Sequence, residues 1–66
     1  MMTLRYMDPG GHEDIIPLVS ASFDPETKVL LGHGTPDGEH EWTRGRAFLM
    51  NEHGKTVAVF RLNPQQ

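Results

Sequence analysis

The stretch GHGTPDGEHEWTRGR, residues 32–46, carries most of the information about how this chain folds. Its centre, Pro36-Asp37-Gly38, has turn chemistry: proline presets φ for the entry to a turn, and glycine accepts a left-handed backbone without steric cost. The flanking residues then run back along one another as a hairpin, with side chains alternating between two faces. With Thr35 opposite Glu39, His33 faces Glu41, Leu31 faces Thr43 and Gly32 faces Trp42. His40 points away from His33. What looks like a cluster of histidines and carboxylates is thus divided between two surfaces.

The same punctuation continues outward. In FDPETKV (23–29), Asp24 and Pro25 occupy the favoured opening positions of a type I turn, and NEHGK (51–55) repeats the pattern around Gly54. Seven glycines and five prolines interrupt the chain too often for a helix of ordinary length. The reading is therefore all-β, with no substantial helix and strands near 3–7, 15–23, 28–34, 39–50 and 55–62. Pro17 implies an edge or a bulge near the start of the second strand. Residues 1–66 form a single small β domain, in which 1–14 make an N-terminal strand plus loop, or an arm.

Trial registers predict a core. With Phe23 opposite Val29 and Met50 opposite Lys55, one face collects Val19, Ala21, Phe23, Val29, Leu31, Ala47, Leu49, Ala58, Phe60 and Leu62. A bulge in the long strand 39–50 would swap part of this face. A flat sheet cannot bury such a face alone, so the expected fold is a five-stranded curled meander or an SH3/OB-like barrel.

A chain of 66 residues buries only about 60% of its unfolded surface, so some reinforcement is expected. Without cysteine it has neither disulfides nor a thiolate zinc site. The net charge of −3 argues against a generally basic nucleic-acid binder. Charge is nonetheless uneven: Asp8, Glu13, Asp14, Asp24 and Glu26 outweigh Arg5 early on, while Arg44, Arg46, Lys55 and Arg61 outweigh Glu52 later. No run of about 20 apolar residues suggests a membrane span, and the start lacks a signal-peptide core. A cytoplasmic protein with no membrane partner is the expectation.

Four histidines (His12, His33, His40, His53) lie close to carboxylates, and such pairs can ligate zinc. Their division between faces and turns favours solvated side chains, with a metal-stabilised structural domain as an alternative. Ser20 and Ser22 sit in a strand without an elbow motif, and no Gly-rich phosphate loop leads into a helix. Neither catalysis nor a cofactor is expected of a domain with so little room for a pocket.

The informative constellation is the second face of the sheet: Trp42, Arg44, Arg46, Phe48 and Arg61, accompanied by Val57 and Val59. The trial register sets Arg44 directly opposite Arg61, a like-charge pair that costs stability unless an anion covers it. Asp8, Glu13 and Asp14 folding across would neutralise it internally. A protein partner would exploit the Trp and Arg side chains that dominate interface energetics. Single-stranded nucleic acid would stack bases on Trp42 and Phe48. The sequence thus points to a non-catalytic interaction module, binding a protein through this aromatic/arginine face as a small inhibitor, adaptor or subunit. Single-stranded nucleic-acid binding is the alternative. A homodimer is a further expectation, because Phe48, Val57 and Val59 leave apolar area on the non-core face.

Overall fold

A computed structural model describes residues 2–63. The strands are β1 (Met2–Met7), β2 (Glu13–Leu18), β3 (Ser20–Asp24), β4 (Val29–Thr35), β5 (Gly38–Trp42), β6 (Arg46–Met50) and β7 (Thr56–Arg61). They form a four-stranded sheet in the order β2-β1-β6-β7 and a three-stranded sheet in the order β3-β4-β5. All named pairings are antiparallel. The fold is all-β, and no helix occurs among the described residues. The expected five strands and barrel are corrected: seven strands form two sheets that do not close into a barrel.

The correction has a local cause. The segments expected as continuous strands over 15–23 and 39–50 each break and hand the chain from one sheet to the other. In the first, the inward positions run Ile16 and Leu18, then Ala21 and Phe23. Strict alternation would have continued to Ser20 and Ser22. Val19 sits at the slip and is 68% exposed. In the second, Trp42 points inward and the next inward residues are Ala47 and Leu49. Each break thus acts as a bulge: one extra residue re-aims the strand so that both halves turn their apolar sides to one interior.

Gly45 makes the second break possible. Its φ is +98°, and a β-carbon there would collide with the Met7 carbonyl oxygen and stand 3.2 Å from Tyr6 Oη. Only glycine fits both the dihedral and the space. The chain beyond β7 then clamps the break. Leu62 N donates to Gly45 O at 2.9 Å, and Asn63 Nδ2 donates to the carbonyls of Thr27 (3.1 Å) and Thr43 (3.2 Å).

Turn geometry corrects the registers. Asp24 pairs with Val29, leaving four residues, Pro25 to Lys28, in the β3–β4 loop. The Asp24 carboxylate accepts from Glu26 N at 2.9 Å, its carbonyl accepts from Lys28 N at 2.7 Å, and Lys28 closes the loop at φ 59°. Phe23 consequently faces Leu30 rather than Val29. That slip of one residue reverses β4, putting Leu30 in the core in place of Val29 and Leu31. The other two registers slip by two residues, which preserves the faces: Trp42 pairs with Leu30, and Arg61 with Arg46.

The buried core is Leu4, Leu18, Leu30, Trp42, Ala47 and Leu62, with Tyr6, Ile16, Ala21, Phe23, Leu49 and Phe60 packed against it. Phe23 and Phe60 meet across the two sheets with ring centroids 5.2 Å apart. All but Leu62, which follows β7, come from strands of the two sheets, so the sheets share one interior.

Candidate functional site

With the even-numbered side chains of β1 and β2 turned inward, the odd-numbered ones cover the outside of the four-stranded sheet. Cross-strand pairing places Ile15, Arg5, Phe48 and Val59 side by side in one row. Glu13, Met7, Arg46 and Arg61 form the adjacent row. Ile15, Val57 and Val59 are 58%, 54% and 55% exposed, an aliphatic surface with half-buried Phe48 at its centre.

Arg5 lies across this face. Its Nη2 donates to Glu13 Oε2 at 2.9 Å, and its Cζ stands 5.8 Å from the Phe48 ring centroid. The hydrogen bond to Glu13, reinforced by the charge of that carboxylate, pushes the guanidinium pKa up from its already high value. An exposed ion pair contributes little to folding, so its consequence here is orientation: it holds the Arg5 cation over the aromatic ring.

Arg46 and Arg61 are directly opposite one another, and both are exposed. No ion pair joins either to a carboxylate among the described residues. Asp8 lines a groove shared with both, next to Gly45 and Leu62. Internal neutralisation by the acidic N-terminal segment therefore takes a different form from the one expected. Glu13 pairs with Arg5, the arginine of its own hairpin.

The structure brings together three of the five residues singled out from sequence, Arg46, Phe48 and Arg61. Trp42 is only 5% exposed, with its ring over Gly32 and tilted against Tyr6 (5.9 Å) and His40 (4.6 Å). Its assignment to the outer face is corrected, because the slip at Thr43–Gly45 turns β5 over relative to β6. Arg44 sits in that slip. Its carbonyl accepts from Tyr6 Oη at 2.6 Å, and it borders an open groove of about 820 Å³ beside Asp8, Asp14, Asp37, Glu41 and the Trp42 edge. Burial, then the charges of Asp8 and Asp14, raise the Tyr6 pKa above the ordinary phenol value, with Arg44 opposing them.

Sequence reasoning missed Arg5 and Ile15. Ile15 alternates with Glu13 and Pro17, a legible signal, but the pairing of β1 with β6 that brings Arg5 to Phe48 is long-range and left no local trace.

Burial of Trp42 removes the main stacking platform from the nucleic-acid reading, and Phe48 already lies beside Arg5. Among the described residues, no group of three or more His, Asp or Glu side chains is placed to hold a metal ion. His33 meets Glu39 rather than Glu41, and His53 lies beside Glu52 in its turn. No described helix is long and apolar enough to cross a membrane. No family model matches the chain, and no curated protein or solved structure is detectably similar to it.

Proposed function

We propose that this chain is an interaction module that binds a protein partner through the outer face of its β2-β1-β6-β7 sheet, working as a small inhibitor, adaptor or subunit without chemistry on that face. The observation that carries this reading is the row Ile15–Arg5–Phe48–Val59 with its cationic neighbour Arg46–Arg61. Exposed aliphatic side chains grouped around an aromatic and bordered by arginines match the composition of interface centres. The Arg46–Arg61 repulsion would be relieved by a carboxylate of the partner. A second copy of the chain is the other reading, favoured by Val57 and Val59 lying on β7, an edge strand with an unpaired side.

Affinity purification from the native cell with wild-type chain and with the Val59→Glu/Arg46→Glu double variant tests the proposal. Partner capture by wild type and its loss in the variant, with an unchanged melting curve, supports it. Equal capture by both sinks it. Sedimentation over a range of concentrations separates a second copy from a different protein.

A further inference from the structure

The other sheet presents a different chemistry on its outer side. Ser22 on β3 and His33 on β4 both stand on the face opposite Ala21, Phe23 and Leu30. The β4–β5 register shifts just beyond the Gly32–His40 pair, and there the side chain of Glu39 of β5 meets that of His33. Ser22 Oγ lies 3.2 Å from His33 Nε2, and His33 Nδ1 lies 2.9 Å from Glu39 Oε2. An ionised carboxylate only accepts, so in the neutral ring Nδ1 carries the hydrogen. Nε2 is left with its lone pair toward the Ser22 hydroxyl. The order hydroxyl, imidazole, carboxylate, with each ring nitrogen assigned, is the arrangement that activates a serine nucleophile. Beside Ser22 an open groove of about 530 Å³ has Phe23, Pro25, Val29 and Leu31 as an apolar side for a short acyl chain, with Asp24, Thr27 and Glu41 also lining it.

We propose that Ser22, His33 and Glu39 form a nucleophilic relay that accepts the acyl group of activated carboxylic esters. Ser22 Oγ attacks the ester carbonyl while His33 Nε2 takes the hydroxyl proton. The bond to the leaving-group oxygen then breaks, and the alcohol departs with that proton; a more acidic alcohol departs as the phenolate, and His33 then releases the proton to solvent before the next step. Water attacks the acyl-serine next, giving its proton to His33, which returns it to Ser22 Oγ as the carboxylic acid leaves. Glu39 is a positioning residue that holds the imidazole and its tautomer. Its side chain is 74% exposed, so the relay lies open to water and lacks the low-dielectric surroundings that strengthen oxyanion stabilisation. Its substrates are accordingly esters with good leaving groups. This activity is independent of the protein-binding face, which lies on the other sheet.

The probe is p-nitrophenyl butyrate, with intact mass and peptide mapping as readout, because other histidines can hydrolyse such esters without acylating a serine. The expected result is one butyryl group on Ser22 and none on Ser20, the neighbouring serine that directly faces His33 but lacks its hydrogen bond. His33→Gln should slow Ser22 acylation roughly a hundredfold, the low end of what a positioned base contributes. Glu39→Gln should slow it too, and Glu39→Asp should restore part of the rate, which a merely structural side chain would not do. Equal labelling of Ser20 and Ser22, no acyl-Ser22, or an unchanged rate in a folded His33→Gln variant overturns the proposal. Should a variant fail to fold, the wild-type peptide map still separates acylation of Ser22 from its absence.

Discussion

The Trp42 ring rests on Gly32. A β-carbon at Gly32 would stand 2.7 Å from Cζ3 and 2.9 Å from Cη2, closer than any real side chain sits. Glycine here is the floor under the largest core side chain, an aromatic covering a gap across two strands. Gly32→Ala should therefore destabilise the fold by about 1–3 kcal/mol through overpacking. Trp42→Ala should cost about 3–5 kcal/mol, comparable to all that the core of so small a domain supplies. Urea denaturation should find the first folded but weakened and the second largely unfolded.

Arg46 opposite Arg61 implies opposite effects on stability and binding. Arg61→Glu turns a like-charge pair into an opposite one and should stabilise the free chain by about 0.2–1 kcal/mol. The same change should weaken capture of a partner that supplies a carboxylate. Added salt should raise the wild-type melting temperature by screening the repulsion, and that rise should shrink in the variant. A variant less stable than wild type would contradict the cross-strand account.

Tyr6 is the sole tyrosine, so its ionisation can be followed by tyrosinate absorbance without interference. Burial and the nearby Asp8 and Asp14 raise its pKa, favouring the neutral phenol that donates to the Arg44 carbonyl. A folded pKa above the unfolded one means a contribution fully present below the unfolded pKa of about 10 and lost as pH rises through the folded value. Chain stability should thus decline on the alkaline side, and Tyr6→Phe should flatten that limb. A midpoint at or below that of free tyrosine would refute it.

Lys28 adopts a left-handed backbone at φ 59° to close the four-residue β3–β4 loop. Such a conformation costs an ordinary L-residue roughly 1–2 kcal/mol, of which glycine gives back about half through its greater unfolded entropy. Lys28→Gly should stabilise the protein by about 0.5–1 kcal/mol on that balance. Thermal melts of the two proteins measure it.

The turns were legible because their causes are local. Pro36-Asp37-Gly38, Asp24-Pro25 and Gly54 each announce a chain reversal through their own dihedral preferences, and the structure reverses at all three. The apolar face of β6 and β7 was legible for the same kind of reason: Ala47, Leu49, Ala58 and Phe60 alternate cleanly, and a register error of two residues leaves them on the same side. Arg46, Phe48 and Arg61 share the opposite side by the same alternation.

The rest depends on parity, and parity is not local. The five-residue loop assumed after Phe23 is one residue too long, which exchanged Leu30 for Leu31 in the expected core. The breaks at Val19 and Gly45 likewise reset the alternation, carrying Trp42 inside and leaving Arg44 in the slip. Neither break is visible from hydropathy, because each packs against a strand elsewhere in the sequence: the Met7 carbonyl against Gly45, and Val19 against Gly34. Residues 32–46 thus specified a hairpin through local dihedral chemistry. Which of its side chains face the core followed from two single-residue slips, because the apolar faces of two sheets must meet in one interior.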